Sequence, residues 1–194
     1  MRKLGYALST AAALCALVAP AAAQDYNPIE GWEATTVQMD IGKMTIVRIG
    51  VEEWTTADDR KTMLEAFASG GADAVVDFLK DQSEKGYVKF PSTAAYQMRY
   101  AFQAEHEGKR YVVMATDRPV GNLWRRDPAD TWGNNISLLS LVLDPETGKG
   151  EGTLIAGAEI TLDEKTHQLK IDHVGTQPVR FTSVKQMKIK KKKK

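Results

Sequence analysis

After residue 86 the chain shows no helical period, and this constrains its fold more than any other feature. Tyr96, Met98, Tyr100, Phe102 and Ala104 alternate with Gln97, Arg99, Gln103 and Glu105. A period of two turns one set of side chains inward and the other to solvent. After a turn at Glu107-Gly108, Arg110 to Thr116 continues as the partner strand. Ile136 to Leu143 is apolar on both faces apart from Ser137 and Ser140. That is the pattern of a central strand covered on two sides, with Pro145-Glu146-Thr147-Gly148 as its turn. Gly152 to Leu162 returns from that turn, and Gln168 to Val174 and Val179 to Val184, separated by Gly175 and Pro178, complete the set.

The first part of the domain reads differently. Trp32 to Met39 and Lys43 to Val51 form an opening hairpin around Gly42, with Val47, Ile49 and Val51 on one face. Thr56, followed three residues later by Asp59, predicts a helix start with a carboxylate in the first turn, and Met63, Leu64 and Phe67 give it an apolar stripe. Gly70-Gly71 ends that helix. A second follows, with Ala72, Val75, Val76 and Leu79 on one face and Asp73, Asp77 and Asp81 on the other, until Gly86 stops it. The predicted class is α+β: a mainly antiparallel sheet with two consecutive helices inserted after the first hairpin. A β-barrel or sandwich with a helical insertion is the alternative.

Ahead of this domain, Arg2 and Lys3 precede an apolar run from Ala7 to Val18. Pro20 breaks the run and Ala21-Ala22-Ala23 leads to Gln24. Basic start, short apolar core and small residues are the marks of an export signal over residues 1–23, with a periplasmic or secreted product. What remains, 171 residues, fits one domain over residues 24–187 and a Lys-rich, disordered tail over residues 188–194. The sole cysteine, Cys15, lies in the signal, so the mature domain is cysteine-free and depends on packing rather than disulfides. Gln24 to Met187 carries 18 Lys and Arg against 25 Asp and Glu, a net of −7, while Lys188, Lys190, Lys191, Lys192, Lys193 and Lys194 supply six positive charges. An acidic body of this kind excludes specific nucleic-acid binding across its surface, and the lysines predict weak adsorption to anionic surfaces.

One long segment, residues 118–135, carries two prolines, two glycines and no sustained period. Loops of that length in a small domain are commonly functional. Trp124 and Trp132 stand there beside Arg118, Arg125, Arg126, Asp127 and Asp130. Stacking surface, guanidinium forks and acceptors together suit an anionic or amphipathic ligand, a small molecule or a protein. The alternative is that the tryptophans plug the sheet while the arginines pair with neighbouring aspartates. Asp117, at the end of a strand beside Arg118, could act as a general base, though a structural Asp–Arg pair explains it more simply. No catalytic motif is present, and no metal or cofactor is expected. His106, His167 and His173 lack ligand partners at metal spacing. Ser137 and Ser140 lie in an apolar strand rather than a nucleophile elbow. Gly148 to Gly152 has no helix behind it to bind phosphate. The row Asp73, Asp77, Asp81 is a solvated helix face, with Lys80 and Lys85 as ion-pair partners.

The segments Glu53 to Arg60, Gly86 to Pro91, Ala115 to Gly121, Gly150-Glu151-Gly152 and Gln177 to Phe181 resemble a group of exported bacterial proteins of unknown function. The resemblance covers most of the mature chain in that order. It implies one exported domain and assigns no functional residue. The sequence therefore predicts a non-enzymatic binding or envelope-associated module. A hydrolase using Asp117 and Arg118 with His106 or His173, or an adaptor tethered by its lysines, are the alternatives.

Overall fold

The opening hairpin forms as expected from β1 (Glu30–Gln38) and β2 (Lys43–Val51), paired antiparallel with Trp32 opposite Ile49. Alternation decides their faces: Trp32, Ala34, Val47, Ile49 and Val51 are buried, while Glu33, Met44, Ile46 and Arg48 are exposed. The computed structural model describes residues 26–38, 43–91, 93–120, 136–163, 168–173 and 178–189.

The two consecutive helices are not confirmed. One element, α1 (Ala57–Asp81), runs through Gly70-Gly71 and is broken only by the backbone of Gly71, at φ 65° and ψ −150°. A glycine pair permits a kink as readily as a stop, because Gly71 reaches this state without a Cβ clash and the helix resumes beyond it. Thr56 caps the start: its hydroxyl accepts from Asp59 N–H at 3.1 Å and donates to the Asp59 carboxylate at 2.7 Å. The apolar residues Val75, Val76 and Leu79 are the buried ones, so the second half of α1 holds it to the sheet.

Eight further strands follow: β3 (Gly86–Lys89), β4 (Tyr96–Met98), β5 (Tyr100–His106), β6 (Lys109–Thr116), β7 (Ile136–Leu143), β8 (Lys149–Asp163), β9 (Gln168–His173) and β10 (Val179–Gln186). Strand β3 lies where the sequence showed only a helix stop. The ladder runs β4-β3-β2-β1-β10-β8-β7-β6-β5, every pair antiparallel among the described residues, with β9 joined to β8 alone. Its two ends, β4 and β5, are consecutive halves of one segment bent at Arg99, so the sheet curls into a nearly closed barrel. Counting β4–β5 as one strand leaves eight in the path, the size at which inward side chains fill the interior. Trp32, Phe90, Met98, Met114, Leu139, Leu141, Leu143, Leu154 and Phe181 do so, each at most 1% exposed.

The bend corrects the single-face reading of Tyr96 to Ala104. Met98 and Ala101 belong to the interior cluster, whereas Tyr100 and Phe102 lie with Val75, Val76 and Leu79 of α1. Arg99 interrupts the alternation, and its N–H bonds Ala115 C=O at 2.8 Å. Helix α1 thus covers the outer face of the barrel on the β5–β8 side. A two-residue turn at Glu107-Gly108, both at positive φ, links β5 to β6, the type I′ geometry that matches strand twist.

Candidate functional site

The two ends of the barrel are built differently. At the end where β1 starts and β10 finishes, the inward row of β6 that continues as Val112 and Met114 begins with Arg110, and that of β1 begins with Glu30. These strands lie on opposite sides of the barrel path, and their side chains meet across it. Arg110 donates to both Glu30 oxygens, at 2.6 and 2.7 Å. Its Nε donates to Gln103 at 2.9 Å, and Gln186 donates to Glu30 at 2.8 Å. The guanidinium lies 5.8 Å from the Trp32 ring and 5.9 Å from the Trp54 ring. The Glu30 hydrogen bonds push the Arg110 pKa still further up. This is a charged plug between two aromatic rings, and its chemistry is closure. Sequence reading missed it, although an arginine at the inward position of an otherwise apolar alternating strand was the available signal.

The opposite end carries the stem of the long loop. Thr116 and Ser137 are buried, and Asp117 follows on the outer face near the C-terminus of α1. Asp117 accepts from the Thr116 hydroxyl at 3.2 Å and lies 3.5 Å from Arg118 Nε and 4.0 Å from Arg99 Nε. Arg99 also donates to Gln82 C=O at the end of α1, where a cation meets the negative pole of the helix. The Asp117 side chain is only 9% exposed while that of Arg118 is 55% exposed. The carboxylate is absorbed by its neighbours and the Arg118 guanidinium faces solvent.

Both sides of the stem are fixed. The Ser137 hydroxyl accepts from Val120 N–H and donates to Arg118 C=O, each at 2.9 Å. Val120 and Ile136 are 1% and 2% exposed. The other predicted site residues, Trp124, Arg125, Arg126 and Trp132, lie outside the described residues. So do residues 1–23, His167 and Lys190 to Lys194, while Lys188 is exposed.

The histidines do not join Asp117. His106 ends β5 opposite Lys109, so it stands at the far end of β6, about 26 Å away at roughly 3.3 Å per residue. Ala158 of β8 pairs with Ile136 on one side and with His173 on the other. His173 is therefore three strand spacings from β6, about 14 Å. Among the described residues no group of three or more His, Cys, Asp or Glu side chains gathers as a metal site. Asp73, Asp77 and Asp81 are exposed, and Lys80 pairs with Asp77 at 2.9 Å, which raises the Lys80 pKa. Lys85 is not part of that row: it is buried and bonds Glu53 at 2.8 Å, because its backbone is tied to Met98 at the edge of the barrel. No helix among the described residues is long and apolar enough to cross a membrane. Comparison with protein-family models, with curated proteins and with solved structures finds no match to this chain.

Proposed function

We propose that the protein is a non-enzymatic, envelope-associated binding module, exported by residues 1–23, that takes its ligand on the loop between β6 and β7. One observation carries this reading: the loop stem is clamped on both sides, by Ser137 bridging Arg118 and Val120 and by the buried Ile136, with the Arg118 guanidinium exposed at its base. A rigid barrel holding a long loop is the usual architecture of a recognition site, since the frame bears stability and the loop bears specificity. Trp124, Arg125, Arg126 and Trp132 supply stacking and anion-binding groups within it. The hydrolase reading receives no such support, as Asp117 is enclosed by Thr116, Arg99 and Arg118 and its histidine partners lie far off.

The test titrates dodecyl phosphate, an anionic amphiphile, below its micelle concentration into the chain from Gln24 while following tryptophan fluorescence. The parent should show a saturable change. Trp124→Ala with Arg125→Ala should abolish it and leave the thermal midpoint in place. If the tryptophan is instead a packed plug, its removal costs about 3–5 kcal/mol; a large fall in midpoint with an unaltered titration would overturn the binding site.

A further inference from the structure

We infer that the outer wall formed by β8, β10, β1, β2 and β3 is a docking surface for an anionic phospholipid bilayer. The strand registers align one residue from each strand into a row: Lys149 opposite Lys185, Lys185 opposite Glu33, Glu33 opposite Arg48, and Arg48 opposite Lys89. All five are exposed. Four strand spacings make the row about 19 Å long. Its one acid, Glu33, is held by Arg48 at 3.3 Å, which leaves a cationic band. Arg180 of β10 is a further exposed cation on this side of the barrel.

A further feature points to a bilayer rather than to another polyanion. On the same face of β2 as Arg48, Ile46 is 56% and Met44 is 72% exposed, two and four residues along the strand from it. A nucleic acid or an acidic peptide has no use for them, whereas an interfacial protein inserts such groups beneath the headgroups that its cations bind. The C-terminal segment also returns to this wall. Met187 N–H bonds Gly31 C=O at 2.8 Å, and a Cβ at Gly31 would stand 2.7 Å from Met187 Cε and 3.4 Å from Ile189 Cδ1. The chain therefore passes β1 two residues from Glu33, and the next residue, Lys188, is exposed.

The other side of the barrel has the opposite sign. Helix α1 carries Asp58, Asp59, Glu65, Asp73, Asp77 and Asp81 against Arg60, Lys61 and Lys80. The wall, with Lys149, Lys185, Arg48, Lys89 and Arg180 against Glu33 and Glu151, is by contrast net cationic, and a negatively charged surface would turn it toward itself. The assignment rests on the envelope association proposed above and gives it a surface distinct from the loop.

The experiment measures co-sedimentation of the chain from Gln24 with vesicles of phosphatidylglycerol and phosphatidylcholine, and with phosphatidylcholine alone. Each cation near an anionic membrane is worth about fivefold in partitioning. Arg48→Glu with Lys89→Glu and Lys185→Glu should therefore lower binding to the anionic vesicles by at least about a hundredfold with the lysines of the tail intact. Met44→Ser with Ile46→Ser should remove the binding that survives high salt. In a chain lacking residues 190–194, the same three substitutions should lower binding by the same factor. The wall variant should give the parent's dodecyl phosphate titration, so that failure of the loop and failure of the wall are read separately. The wall substitutions lie at exposed positions, and circular dichroism confirms that each wall variant folds. Equal partitioning of the wall variant and the parent, or equal binding to both vesicle types, overturns the inference. Binding to a soluble polyanion such as heparin, with none to vesicles, overturns it as well.

Discussion

Gly71 sits in the middle of α1 with a backbone that side-chain-bearing residues enter only under strain. Apart from its chain neighbours and the backbone of the helix itself, no atom of the described residues lies within 4 Å of a Cβ built there, so Gly71→Ala isolates the backbone term. The expected cost is about 1–3 kcal/mol, read as a lower thermal midpoint. Two tyrosines give the chain an alkaline limit. Burial pushes the pKa of Tyr87 and of Tyr100 above the ordinary value of 10.0. The unfolded chain then ionises first as pH rises, so their contribution is whole below about 10 and is lost as pH passes upward through the raised values. Denaturant melts between neutral pH and pH about 11 should show this decline, and Tyr100→Phe should reduce it. A decline of the same size in that variant would assign the alkaline limit to other groups.

The two halves of α1 differ in what they do for the molecule. Leu79 is fully buried against the sheet and Leu64 is 44% exposed. Leu79→Ala should cost about 2–5 kcal/mol, while Leu64→Ala should stay within about 0.5 kcal/mol; equal losses would mean that the first half is attached as firmly as the second. The apolar stripe containing Leu79 was legible because a helix on a sheet buries one face at a period of 3.6 residues. The hairpin of β1 and β2 was legible by the same logic at a period of two, β6 as the partner strand beyond the turn at Glu107-Gly108, and β7 as a run apolar on both faces. Strand β3 was not, since Gly86, Tyr87 and Val88 are all buried and leave no alternation to read. Nor was the turn of faces at Arg99, because the bend follows from pairing β4 with β3 and β5 with β6, which one segment cannot reveal. At the candidate site the composition of the loop was readable, but the clamp by Ser137 was not: a serine in an apolar strand looks the same whether or not a loop stem lies against it.

At the scale of the whole barrel, closure depends on β10, which joins β1 to β8 and contributes the buried Phe181 and Val184. Removing residues 179–194 should abolish cooperative unfolding, whereas removing residues 190–194 should leave the melting curve in place; a cooperative transition in the longer deletion would show that the remaining strands reclose without it. That contact also sets the pace of assembly. Trp32 pairs with Gln186, so the first strand of the wall must find the last before the barrel can shut, and such non-local pairing slows folding. The same contact leaves the start of β1 and the end of β10 together at one end of the barrel, where Met187 N–H bonds Gly31 C=O. The domain is in effect a ring with a nick in it. Joining those two points with a short flexible linker and opening the chain between Glu107 and Gly108 would keep every strand pair, make β10–β1 an ordinary hairpin, and yield a circular permutant that refolds faster than the parent.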